Sequence, residues 1–170
     1  MKTKTKIKRI LNHILNFFTK LIALGLFSGK SPKAPGTFGS IVGIIIAVFF
    51  VKLSILQQIS IFILITIFGT LSIYRYLEIT KQKGNDPKEV VIDEIVAILF
   101  ICILVQYITP ANTMQVQHFC SIFILFRIFD ITKPYPICVV DKKMKNPIGI
   151  MLDDLLAGFA SWLVYICLFA

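Results

Sequence analysis

The sequence predicts an all-α fold: a polytopic membrane helical bundle of about five apolar helices, preceded by a basic amphipathic helix. Three observations carry this. Hydrophobic residues make up 56% of the chain against 16% charged, and the mean hydropathy is +0.82, well above that of an ordinary soluble domain. Apolar runs recur at about Phe38–Val51, Ile59–Tyr74, Ile95–Ile108, Phe119–Ile131 and Leu155–Phe169. The charges are also one-sided. If the chain crosses five times from an inside start, all but one of its 18 Lys and Arg face the inside, Lys52 being the exception, and that is the positive-inside pattern. All nine acids lie on that side or at its boundary, so chemistry is expected at the cytoplasmic face. Several runs are shorter than the ~20 residues that cross a bilayer, which leaves buried helices or partial insertion open for them.

Taken in order, residues 1–24 form a basic segment ahead of a single domain over residues 25–170. Lys2, Lys4, Lys6, Lys8 and Arg9 precede Ile10, Leu11, Ile14, Leu15, Phe18, Leu21 and Ile22 at helical spacing. This suits an amphipathic helix on an anionic leaflet, or a solubilising tail before a buried helix. No small-residue cleavage site marks it as a secretory signal. Between Ser28 and Ser40 the Gly and Pro content predicts a shaped loop. Thr37 or Ser40 is expected to cap the next helix and aim its free N–H groups at an anion, a plain turn being the alternative. Lys81–Glu89 is a polar loop in which Asp86-Pro87 is expected to open the following helix. Gln106–Gln117 is uncharged and reads as a short outer connection, with His118 on the far side from the acids. Arg127, Asp130 and Lys133 are spaced by three, so they share a helical face before Pro134 ends the helix. An ordinary ion pair would explain that face. At a membrane edge, however, a cation–anion–cation row points to function.

The chain is organised around two acid pairs set in apolar helices. Ile92-Asp93-Glu94-Ile95-Val96-Ala97 and Leu152-Asp153-Asp154-Leu155-Leu156-Ala157 follow one pattern. One acid in a first turn favours the helix dipole. Two adjacent acids lie about 100° apart, so one of each pair can point inward. The small residues three or four positions on would let the two helices approach and bring four carboxylates together. The expectation is a shared metal site rather than capping alone.

Other chemistries fall away on composition. Cys102, Cys120, Cys138 and Cys167 are isolated, with no Cys-x-x-Cys pair and no Cys/His cluster, which argues against zinc, thiol redox chemistry and a disulfide frame. His13 and His118 are both badly placed for catalysis. What remains is oxygen-ligand chemistry, and clustered carboxylates beside Lys and Arg are the setting for Mg2+ with a phosphate.

Four motifs then carry a resemblance. Ser-Pro-x-Ala-Pro-Gly-Thr-x-Gly-Ser at Ser31–Ser40, Val-x-Asp-Glu at Val91–Glu94, Phe-Arg-x-x-Asp-x-x-Lys-Pro-x-Pro-Ile at Phe126–Ile137 and Gly-Ile-Met-x-Asp-Asp-x-x-Ala-Gly at Gly149–Gly158 stand in order over about residues 25–160. Together they resemble the phosphatidylglycerophosphatase A family. One departure is Ala97, where a glycine is expected. The resemblance implies an all-α, Mg2+-dependent lipid phosphatase of the bacterial inner membrane that converts phosphatidylglycerophosphate to phosphatidylglycerol. Combined with the residue reading, it predicts that Asp93, Glu94, Asp130, Asp153 and Asp154 are catalytic and hold one or two Mg2+. Arg127, Lys133, Thr37 and Ser40 are expected to bind phosphate. The partners expected are the lipid substrate and the membrane, with no nucleic acid. The competing reading is an ion-coupled transporter or membrane scaffold. The almost wholly apolar outer halves of the expected spans favour the enzyme.

Overall fold

The computed structural model describes residues 2–82, 86–109 and 114–169, with side chains from residue 6 onward. Among the described residues there are seven α-helices and no strand. They are α1 (Lys2–Ala23), α2 (Pro35–Phe50), α3 (Ile55–Thr80), α4 (Ile92–Ile108), α5 (Val116–Thr132), α6 (Ile137–Lys143) and α7 (Pro147–Phe169), with a single 3-10 turn at Ser28–Lys30 before α2. The all-α expectation holds. The expected count of about five apolar helices is not confirmed by helix length. Among the described residues two helices, α3 with 26 residues and α7 with 23, are long and apolar enough to cross a membrane. The apolar helices α2, α4 and α5 have 16, 17 and 17 residues, short of the ~20 that span a hydrocarbon core.

Helix ends explain most differences from the sequence reading. The α3 helix begins at a capping box, in which Ser54 accepts from the Gln57 N–H and the Gln57 side chain accepts from the Ser54 N–H. That start lies outside the apolar run and lengthens the helix. Asp86-Pro87 does not open α4, which starts at Ile92 with Val91 as its N-cap. The last helix starts at Pro147, eight residues before the apolar run at Leu155, because Asn146 Oδ1 takes the Gly149 N–H at 2.8 Å and proline suits a first helical position. Helix α6 was not expected from the sequence.

The core forms around α4. Every residue from Val91 to Leu99 is buried, the acids Asp93 and Glu94 along with the apolar residues on either side of them. Helices α2, α3, α5 and α7 all pack on it. Small residues set the approach of its neighbours. A Cβ at Gly43 of α2 would lie 3.1 Å from Ile98 Cβ, and one at Gly158 of α7 would lie 3.4 Å from the Ala97 carbonyl oxygen. Thus Ala97 and Gly158 meet one turn beyond the two acid pairs, and their size lets α4 and α7 bring those pairs together. The outward faces are apolar. Ile63, Leu64, Ile67, Phe68 and Leu71 of α3 and Leu163 of α7 are exposed, as are Ile7, Ile10, Leu11, Ile14, Leu15 and Phe18 of α1.

Candidate active site

One end of the bundle gathers the N-terminal ends of α2, α4 and α7 with the C-terminal end of α5. Asp93 and Glu94 stand in the first turn of α4. Asp153 and Asp154 stand two turns inside α7, whose first turn has no acid, so capping cannot account for the second pair. One carboxylate oxygen from each of Asp93, Glu94 and Asp154 falls within 4.8 Å of the other two. All three residues are at most 8% exposed. Of their oxygens, Asp93 Oδ1 accepts the Glu94 N–H at 3.2 Å, while Glu94 Oε2 and Asp154 Oδ2 are buried with no hydrogen-bond partner. Leaving a buried acceptor unpaired costs about 1–3 kcal/mol, and more when it is charged. Three like charges crowded together add repulsion.

The cations stand beside this cluster, each already engaged. Arg127 Nη1 donates to Asp130 Oδ2 at 2.5 Å and lies 3.5 Å from Ser40 Oγ, while its Nε is buried without a partner. Lys133 follows the last turn of α5 in a left-handed conformation, φ 40°, with its backbone N–H donating to the Phe129 carbonyl. Its Nζ bridges Asp153 Oδ2 at 2.5 Å and Asp141 Oδ1 at 2.8 Å. Burial alone would lower the lysine's pKa, but the hydrogen bonds to Asp141 and Asp153 outweigh it and raise it. The same bond from Lys133 holds the Asp141 carboxyl below the usual carboxylate range, against a smaller opposing effect of burial. Lys145 Nζ adds a looser contact with Asp141 at 3.6 Å.

These groups surround a cavity of about 230 Å³ whose wall includes Asp93, Glu94, Arg127, Asp130, Lys133, Asp153 and Asp154. Seven of the nine residues expected from the sequence therefore share one cavity. Thr37 and Ser40 are not in its wall, and neither caps α2. That helix starts at Pro35 on a left-handed Ala34 with no side-chain cap, since proline occupies the first helical position and fixes its φ. The Thr37 N–H is taken by the Ala34 carbonyl at 3.0 Å, and Ser40 Oγ donates to the Gly36 carbonyl at 2.8 Å.

Four residues were missed. Gly36 lines the cavity, and a Cβ there would run into Glu94 Oε1 and sit 3.1 Å from Arg127 Nη1. Asp86 and Lys88 also line it, from a loop that the sequence assigned to structure. Asp141 secures Lys133 from α6. Only Gly36, within the Ser31–Ser40 motif, carried a local signal.

Comparison with known proteins gives the family. The family model described as Phosphatidylglycerophosphatase A matches residues 21–169. A Haemophilus influenzae protein named Phosphatidylglycerophosphatase A is 36% identical over 146 residues, covering 85% of this chain and 84% of its own. An Escherichia coli K12 protein of the same name is 32% identical over 143 residues, covering 83% and 77%. A Bacteroides thetaiotaomicron protein provisionally named phosphatidylinositol-3-phosphatase is 33% identical over 151 residues, covering 88% and 92%. No solved structure matches. With the family model spanning α2 to α7 and the whole cavity, the chain belongs to the phosphatidylglycerophosphatase A family of phosphatases.

Proposed function

We propose that this protein hydrolyses the terminal phosphomonoester of phosphatidylglycerophosphate, yielding phosphatidylglycerol and inorganic phosphate. We place its site at the cytoplasmic face of the bacterial inner membrane. The observation that carries the reading is the buried Asp93–Glu94–Asp154 cluster, with two orphaned carboxylate oxygens, set beside Arg127 and Lys133. An all-oxygen, anionic donor set suits Mg2+, which binds through a few carboxylates plus substrate phosphate. Asp93, Glu94 and Asp154 would hold it. When bound, Mg2+ would offset phosphate charge and lower the pKa of a coordinated water.

The chain's own residues divide the remaining work. Arg127 presents a planar fork, one arm already fixed by Asp130, and its unpartnered Nε fits a phosphate oxygen. Lys133 supplies a point charge whose direction is set by Asp153 and Asp141. Asp130 and Asp153 therefore serve first to aim cations, and the three remaining acids are free to bind metal. The absence of a Cβ at Gly36 keeps the cavity open between Glu94 and Arg127.

The fold supports a membrane setting. The helix ends that form the site alternate in direction, which suits five crossings, with α2, α4 and α5 reaching ~24–26 Å at 1.5 Å per residue. Helix α1, basic and with Ile7, Leu11 and Phe18 exposed, would lie on the anionic cytoplasmic leaflet. A chain with its native cysteines replaced by alanine tests the orientation. Lys143→Cys should react with a membrane-impermeant thiol reagent only from the cytoplasmic side, and Gln117→Cys only from outside. Labelling of both from one side would refute five crossings.

The substrate is tested by phosphate release from purified protein in detergent micelles. Phosphatidylglycerophosphate should be turned over faster than phosphatidylinositol 3-phosphate, the lipid suggested by the Bacteroides relative's name. The reverse preference would remove the proposed substrate while leaving the phosphatase.

A further inference from the structure

We infer that the groove between α2 and α5 is the seat of one acyl chain of the lipid substrate. The inference rests on the lipid-phosphatase reading above and extends the same site. Arg127 lies in the wall of the acid-lined cavity and reaches to 3.5 Å from Ser40 Oγ, so α5 and α2 are joined at the cavity's edge. Beyond that contact the two helices line a groove of about 310 Å³ whose lining is wholly apolar, with Ile41, Ile44, Ile45 and Val48 on α2 facing Phe119 and Phe123 on α5.

The register makes the groove a continuation of the cavity. Phe123 and Phe119 precede Arg127 by four and eight residues, and residues four apart share one helical face. On α2 the groove runs from just past Ser40 to Val48, ~12 Å at 1.5 Å per residue. Ile45 and Val48 remain 56% and 37% exposed, so the groove is open along its side and a chain can enter laterally from the bilayer. Its charged end offers Arg127 and Lys133 to a phosphate, while its length offers only hydrocarbon. That polarity matches a phospholipid lying with its head group at the acids.

The larger apolar groove, about 450 Å³ between α1 and α3, lacks this continuity. It meets α4 at Ile92 and Ile95, which at 100° per residue point away from Asp93 and Glu94.

The test compares long-chain phosphatidylglycerophosphate with its deacylated, water-soluble head group. Ile45→Trp fills the groove from an exposed position, and Ile63→Trp on the outer face of α3, 49% exposed, is the control. For the long-chain lipid, Ile45→Trp should raise KM about 10-fold, the equivalent of roughly two methylenes lost from contact. Its kcat on the lipid and its kcat/KM on the head group should match those of the starting protein. Unchanged KM on the lipid, the same shift in Ile63→Trp, or equal slowing on the head group would overturn the proposal.

Photo-crosslinking with phosphatidylglycerol carrying a diazirine in one acyl chain gives an answer independent of turnover. Adducts should concentrate on residues 41–48 and 116–123 and be displaced by unlabelled phosphatidylglycerol but not by phosphatidylcholine. Adducts spread evenly over the lipid-facing helices, or equal labelling by a phosphatidylcholine probe, would show ordinary bilayer contact instead. If the protein released no phosphate from phosphatidylglycerophosphate, the proposed reaction would fall, and the cross-link pattern would still decide the groove.

Discussion

Asp154→Asn should lower phosphate release at least ~100-fold, since disturbing even an outer contact of a metal site costs about 10–100-fold. The same change should leave the protein folded. Asp154 is 4% exposed, and its Oδ2 has no hydrogen-bond partner in the protein. Asn keeps the shape and removes one of three crowded negative charges, so without metal the variant's Tm should equal or exceed that of the unmodified chain. The two readouts move in opposite directions, and that separates a functional acid from a structural one. A variant that is destabilised but keeps its activity per folded molecule would make Asp154 a packing residue. The neighbouring Asp153 should behave differently, because its Oδ2 is committed to Lys133. Asp153→Asn should cost stability first.

Lys133→Met is expected to have the second largest effect, and here stability and activity should fall together. The lysine neutralises Asp153, which is 5% exposed at its side chain, and Asp141, which is 23% exposed. Removing one partner of a buried pair costs about 3–5 kcal/mol because a buried charge is left alone. The low end applies, since Lys133 itself keeps 24% of its side chain in contact with solvent. Adding Asp153→Asn to Lys133→Met should recover much of the lost Tm, as the two positions are coupled. It should not recover kcat/KM if Lys133 also binds phosphate. Full recovery of both would reduce Lys133 to a counter-ion for Asp153.

The parts of this site that could be read from the sequence are those set by helical periodicity. Acids within apolar runs are conspicuous wherever the helix ends lie, so Asp93, Glu94, Asp153 and Asp154 could be assigned to one cavity without knowing the start of α7, although only Asp93, Glu94 and Asp154 draw together in one cluster. Ala97 and Gly158 supplied the reason for close approach, and the structure places them in that role. The Arg127–Asp130 pair follows from its spacing in the same way, whereas Lys133 lies past the end of α5 in a left-handed conformation and pairs with Asp153 and Asp141, so the expected three-residue helical face is not formed. What was illegible depends on chain direction outside regular helix. Lys133 meets Asp141 only because the turn through Pro134 and Pro136 leads into a short helix that folds back, and no periodic pattern marks a contact across such a turn. Thr37 and Ser40 do not cap α2 as expected, because a capping hydroxyl is a local signal, whereas Pro35 starts the helix two residues before Thr37. Gly36 then approaches Glu94 and Arg127, groups supplied by α4 and α5, and its importance appears only when those helices are in place.

The central claim is that the buried acids of α4 and α7 form a divalent-cation site that the phosphatase reaction needs. Metal-stripped protein titrated with Mn2+, a spectroscopically visible substitute for Mg2+, tests this most directly when free metal is followed by electron paramagnetic resonance. The account predicts saturable binding that is lost in Asp154→Asn, and phosphate release in the unmodified chain that rises over the same metal range. Equal binding by both proteins, or full phosphate release from metal-stripped protein, would contradict it.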